Sequence, residues 1–214
     1  MSNFIIPAAK TVAIKIKGSD KQFPVRRVYC IGQNYADHVS EMGSDPSKES
    51  PIFFQKNPDN IDTSGTFPYP SETSNVHHEV EMIVALQSGG SNISEQDAYK
   101  HVYGFATALD MTRRDLQGAA KKNGKPWEIG KAFEHSAPMG IISPLSQVGT
   151  MQTGVIALSI NGVEKQRGDL KMMIWSVPKI IAYLSRFNKL EAGDIIMNYF
   201  RYFVVLYILR CLCE

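Results

Sequence analysis

Residues 78–86 read HEVEMIVAL, and no other stretch says as much about how this chain folds. An apolar run of this length, rich in Val and Ile, reads as a β-strand. Successive strand side chains point to opposite faces. Glu79 and Glu81 therefore share one face, while Val80, Met82 and Val84 take the other. Two carboxylates side by side on an apolar strand repel each other and lose hydration. A hard divalent cation with oxygen ligands compensates directly. The next apolar run, VYGFATAL at 102–109, reads as another strand, and Asp110 at its end can supply a third oxygen. Three carboxylates leave about three positions of an octahedral Mg2+ or Mn2+ for water and substrate. On spacing alone, a solvated strand end with two exposed glutamates is the commoner case, because E-x-E is common. The apolar setting speaks for the cation.

Outward from this pair, residues 12–17 (VAIKIK) alternate and predict a short exposed strand. Residues 25–31, 52–55 and 194–197 predict further strands, and 57–75 is rich in turn formers and reads as irregular. A short helix is expected over about 34–42, closed by Gly43. A second is expected from near Thr112, with Asp115 as a capping-box-like partner, ending before Gly124. Asn161-Gly162 between alternating runs is a hairpin signal. Ser176 and Pro178 open a helix that places Ile180, Ile181, Tyr183, Leu184 and Phe187 on one face. Many strands and few helices without strict alternation imply an α+β fold, mostly β, rather than a doubly wound sheet.

At 214 residues the chain fits one domain. With 43% hydrophobic and 21% charged residues, wholesale disorder is excluded. A net charge of +2 argues for neither nucleic acid nor a membrane surface. No stretch reaches the roughly 20 apolar residues of a membrane helix. Three cysteines do not make a disulfide framework, and the first residues carry no secretory signal, so a reducing, cytoplasmic setting is expected.

Further candidates flank the carboxylates. Arg114 and Gln117 lie one turn apart on the expected helix and can face one site, and Lys131 in GKAF adds a cation. Each alone is more often a surface residue. His38 and Glu41 stand at i and i+3, where a carboxylate can orient an imidazole as a general base. No zinc spacing, phosphate-binding glycine loop, dinucleotide fingerprint or serine-hydrolase elbow is present.

The order of these pieces carries a resemblance. The chain reads GQNYADHVSEMG at 32–43, PIFFQK at 51–56, HHEVE at 77–81, ALDMTRRDLQ at 108–117 and GKAFEHSAP at 130–138. It continues with INGVEKQRGDLKMMIWSVPKIIAYLSRF at 160–187 and LEAGDIIM at 190–197. It resembles the fumarylacetoacetate hydrolase family, above all its small members that act on acylpyruvates, over about residues 24–197. The resemblance implies a rolled, mixed β-sheet fold with few short helices, paired as a homodimer. It implies that Glu79, Glu81 and Asp110 hold Mg2+ or Mn2+. By the same resemblance, His38 and Glu41 form a water-activating dyad with Lys131 as a further catalytic group. Arg114, Gln117 and, less directly, Lys56 would bind the substrate. The expected reaction is carbon–carbon cleavage of a small keto acid, fumarylpyruvate to fumarate and pyruvate, as in gentisate-type aromatic catabolism. Decarboxylation of oxaloacetate, or isomerisation or decarboxylation of a related keto-diacid, uses the same site chemistry.

Two departures stand out. Relatives often carry a basic residue where this chain has Gln33. After LEAGDIIM they continue with a Thr-Gly-Thr-Pro turn, but this chain reads NYFRYFVVLYILRCLCE, a shift toward aromatics and cysteines. The expected division is therefore an N-terminal strand segment (1–23), the catalytic domain (24–197) and an atypical apolar tail (198–214). That tail leaves open an impaired remnant that only binds metal or partners.

Overall fold

A computed structural model of the chain describes residues 3–32, 34 and 50–199. Its strands in chain order are β1 (Ala13–Lys15), β2 (Gln22–Pro24), β3 (Arg27–Gly32), β4 (Ile52–Lys56), β5 (Ile61–Asp62), β6 (Val76–His77) and β7 (Val80–Leu86). They continue with β8 (Val102–Leu109), β9 (Thr112–Arg113), β10 (Ala137–Pro138), β11 (Ser143–Pro144), β12 (Val155–Ile160), β13 (Val163–Asp169) and β14 (Asp194–Tyr199). Four short α-helices are described, at Arg114–Lys122, Glu128–Lys131, Leu145–Val148 and Val177–Leu184. None is long and apolar enough to cross a membrane.

The central sheet runs β11-β8-β7-β14-β3-β4, with β14 parallel to β3 and every other neighbour antiparallel. Both faces are covered, which is why all seven residues of β7 are buried. Val80, Met82, Val84 and Leu86 pack with Ile180, Ile181 and Leu184 of the Val177–Leu184 helix. Ile83 and Ala85 face the other way, onto Cys30, Ala106, Ile195 and the N-terminal Ile14, Ile16 and Phe23. Glu81 shares that second face by alternation.

The mostly β, mixed-sheet expectation holds, and the differences lie in local detail. The 12–17 alternation is not an exposed strand: Ile14 and Ile16 are buried, so its apolar half belongs to the core. The helix expected near Thr112 begins at Arg114, after the two-residue β9. No capping box forms there. Asp115 instead accepts from Thr73 Oγ1 (2.6 Å) and the Ser74 N–H (3.1 Å), tying the irregular 57–75 stretch to the helix. Phe187 lies beyond the last helix and is exposed, because the helix stops at Leu184. The Asn161-Gly162 turn is as expected. Both residues have positive φ (51° and 76°), the left-handed pair that a two-residue hairpin between β12 and β13 requires. The helix expected over 34–42, with its Gly43 cap, falls outside the described residues apart from Asn34.

Candidate metal centre

Chain topology brings three carboxylates together at one end of the sheet. Glu79 immediately precedes β7, Glu81 is its second residue, and Asp110 follows β8, the strand paired with β7. The Asp110 N–H donates to the Glu79 carbonyl (2.8 Å), so backbone pairing itself sets these two side by side. All three are buried, and a ligand oxygen from each lies within 4.8 Å of the others.

Three cations from other elements complete the cluster. Lys131 Nζ donates to Glu79 Oε2 (2.8 Å), Asp110 Oδ2 (2.6 Å) and Thr112 Oγ1 (2.7 Å). Arg114 pairs with Glu79 through Nη2 and donates through Nη1 to Gln117 Oε1 (2.6 Å) and through Nε to His77 Nδ1 (3.2 Å). Lys56 Nζ sits 3.0 Å from Asp110 Oδ1 and donates to Ser136 Oγ (3.0 Å) and to the carbonyls of Met111 (3.3 Å) and Lys131. Lys131 reaches the cluster because Gly130 lets its short helix lie on the preceding Arg114–Lys122 helix. A Cβ at Gly130 would meet Gln117 N and Cβ at 2.9 Å, inside contact distance.

The three carboxylates are not equivalent. Burial alone would raise the Glu79 carboxyl, but the charges and hydrogen bonds of Lys131 and Arg114 outweigh it and hold the pKa at about 2. Asp110 is bracketed by the two lysines. Glu81 is different. Both its oxygens are buried, and neither meets a hydrogen-bond partner among the described residues. Burial, and next the Asp110 charge, push its carboxyl well above the ordinary value. A buried, unpartnered carboxylate is costly, and a divalent cation between Glu79, Glu81 and Asp110 would remove that cost. All-oxygen donors suit Mg2+ or Mn2+ rather than a thiolate-seeking metal. Cys30 offers no competing chemistry: burial first, then the charges of Asp110 and Glu81, push its thiol well up, so it stays protonated and inert.

Of the residues singled out in the sequence, Glu79, Glu81, Asp110, Arg114, Gln117, Lys131 and Lys56 all meet here. Lys56 touches carboxylate, carbonyl and hydroxyl oxygens of the protein, which places it behind Asp110 and Lys131. His38, Glu41 and Gln33 lie outside the described residues. Sequence reading missed Thr112, Ser136 and Gln166. Asn34 was missed too. Its amide donates to the Trp175 carbonyl (2.9 Å) and Asn198 Oδ1 (2.7 Å), and its oxygen accepts from the Trp175 N–H (2.7 Å). Only uncharged amides and hydroxyls are involved, and their partners lie far off in sequence, so no local pattern marks them.

Comparisons with known proteins agree with this geometry. The family described as "Fumarylacetoacetate (FAA) hydrolase C-terminal" matches residues 27–198. The chain is 38% identical over 183 residues to oxaloacetate tautomerase YcgM of Escherichia coli (strain K12), covering 85% of this chain and 84% of that one. It is 42% identical over 153 residues to a fumarylpyruvate hydrolase of Ralstonia sp, covering 71% and 79%. The crystal structure of fumarylpyruvate hydrolase from Pseudomonas aeruginosa in complex with Mn2+ and pyruvate superposes with a TM-score of 0.87 at 46% identity, over 92% of this chain and 87% of that one. The chain therefore belongs to the fumarylacetoacetate hydrolase family, whose members here include hydrolases and tautomerases of small keto acids.

Proposed function

We propose that this chain is a divalent-metal-dependent enzyme that cleaves the carbon–carbon bond of an acylpyruvate, fumarylpyruvate to fumarate and pyruvate. One observation carries the reading: a buried triad of carboxylates in which Glu81 offers two unpartnered oxygens. Its likeness to a fumarylpyruvate hydrolase that holds Mn2+ and pyruvate supports it. Glu79, Glu81 and Asp110 would hold Mg2+ or Mn2+, which when bound supplies Lewis acidity toward the 2-keto acid end of the substrate.

The chain's own residues supply the rest. Lys131 is buried, and although burial opposes its charge, Asp110 and Glu79 raise its pKa. It therefore remains an ammonium throughout and can face a developing oxyanion. Arg114 and Gln117 present a guanidinium and an amide from one helix turn, suited to a substrate carboxylate. We assign His38, oriented by Glu41, as the base that takes a proton from water, on their i, i+3 spacing and the family resemblance. Water adds to the distal carbonyl, the carbon–carbon bond breaks, and the released pyruvate enolate takes up a proton. We further propose a homodimer in the cytoplasm, as the resemblance and the buried, free Cys30 suggest.

A second reading, oxaloacetate tautomerase, is favoured by the 38% identity to the Escherichia coli enzyme. It needs the same keto acid binding and proton removal, without water addition. The test is product analysis by NMR with Mn2+ present, on fumarylpyruvate and on oxaloacetate. Equimolar fumarate and pyruvate are expected. Unchanged fumarylpyruvate with faster keto–enol exchange of oxaloacetate would select the tautomerase. No turnover of either substrate by a chain that binds Mn2+ would leave a metal-binding remnant.

A further inference from the structure

The peptide linking Glu79 to Val80 is held on both sides. Its carbonyl accepts from the Asp110 N–H (2.8 Å). Its N–H, on Val80, points the opposite way and donates to the side chain of Gln166, whose Oε1 lies 3.0 Å off. Among the described residues no residue of β14 lies opposite Val80, the last β7–β14 pair being Glu81 opposite Tyr199.

Gln166 comes from β13, 86 residues further on. Most of that hairpin faces solvent. On β13, Val163, Glu164 and Arg167 are exposed, while Gln166 is 2% exposed. Its burial follows from strand alternation: Gln166 shares the hairpin's inward face with Gly168 and with Ile156 across the ladder, and a β-bulge comes next. Leu158 pairs with Gln166 but Ser159 pairs with Glu164, which leaves Lys165 as the extra residue. The bulge ends that regular alternation, so Glu164 is exposed while the Gln166 side chain reaches the start of β7. The contact has a cost, because Gln166 Nε2 is buried without a hydrogen-bond partner among the described residues. A leucine would avoid that cost but would leave the Val80 N–H unmet.

We propose that Gln166 is a positioning residue for the metal centre: by holding the Val80 N–H it fixes the peptide between Glu79 and Glu81, and so the spacing of their two carboxylates. This rests on the metal reading given above. Groups that hold metal-binding residues in place without touching the metal typically change its affinity by about 10–100-fold when removed.

The test compares Q166L, which has no acceptor, with Q166E, which keeps one. Mn2+ affinity is measured by calorimetry on the full chain, with thermal melting and hydrogen exchange at Val80 alongside. Q166L is expected to bind Mn2+ about 10–100-fold more weakly and to lose protection at the Val80 amide, with Q166E recovering most of both. Should Q166L not fold, Q166M, of similar length, takes its place. Wild-type affinity in the folded Q166L or Q166M protein would overturn the assignment and leave the metal site standing. So would a loss in Q166E as large as in Q166L. A wild-type chain that takes up no Mn2+ would sink the metal site itself, and this role with it.

Discussion

Strand β14 has a buried carboxylate at each end, and the two are treated in opposite ways. Asp194 opens the strand and is fully buried. Arg26 Nη1 donates to its Oδ1 (2.9 Å) and Oδ2 (3.2 Å), and the Glu191 N–H donates to Oδ2 (2.9 Å). Both oxygens are satisfied by groups that belong to the fold. At the other end, opposite Tyr199, Glu81 is equally buried and neither oxygen has a partner among the described residues. Asp194, which serves the architecture, is closed by its neighbours, whereas Glu81 is left open, as the cation proposed above requires. Burial pushes both carboxyls up, but Arg26 and the Glu191 amide counter it at Asp194, while only more distant cations do so at Glu81.

The largest effect should come from the group that joins the carboxylates. Lys131→Met removes the ammonium between Glu79, Asp110 and Thr112. We expect turnover to fall by about 10²–10³-fold, as when a preorganised electrostatic donor is lost. Steady-state pyruvate release measures it, and near wild-type turnover would show that Lys131 only balances charge. Glu81→Gln should weaken Mn2+ binding by about 10²-fold or more, beyond the loss of a positioning residue. It should also leave the metal-free protein as stable or more stable, since an unpartnered carboxyl whose ionisation burial penalises becomes an amide that cannot ionise. Calorimetry and thermal melting read the two effects. Asp194→Asn should behave in reverse. Mn2+ affinity stays the same, while urea unfolding loses about 1–3 kcal/mol because hydrogen bonds from Arg26 and Glu191 are weakened. If both variants shift stability in the same direction, the contrast between the two ends of β14 fails.

The smallest effect is that of pH. The Glu81 carboxyl is raised, so its stabilising contribution is greatest when protonated and fades as pH climbs above the ordinary 4.5 toward its folded value. Mn2+ must displace that proton, so affinity should rise with pH by up to about tenfold per unit, then level off. Glu79 has the opposite sign. Its pKa of about 2 means stability that is present above 4.5 and lost as pH falls toward 2. Calorimetry in buffers of different ionisation enthalpy counts the protons released; an affinity independent of pH would mean that Glu81 is already ionised.

The carboxylate triad was legible because strand alternation is local. Glu79 and Glu81 must share a face wherever the strand goes, and Asp110 follows the strand paired with it. The Asn161-Gly162 hairpin was legible for a similar reason, since few residue pairs adopt two positive φ values in succession. Thr112 and Asp115 misled because a capping box and two unrelated tertiary bonds look alike in sequence. Asp115 is claimed by Thr73, and Thr112 by Lys131.

What the residues settled unaided was the strand-rich architecture and which carboxylates cluster, because periodicity and turn chemistry act within a few residues. Which cations reach those carboxylates was decided by the fold. Lys131 and Lys56 arrive from 21 and 54 positions away from Asp110, and Gln166 meets Val80 from 86 positions further on. Burial of Glu81 without a partner is likewise a property of two packed sheet faces. It arises on the sheet face that Glu81 shares with Cys30, Ile83 and Ala108, where tertiary packing rather than local sequence excludes water.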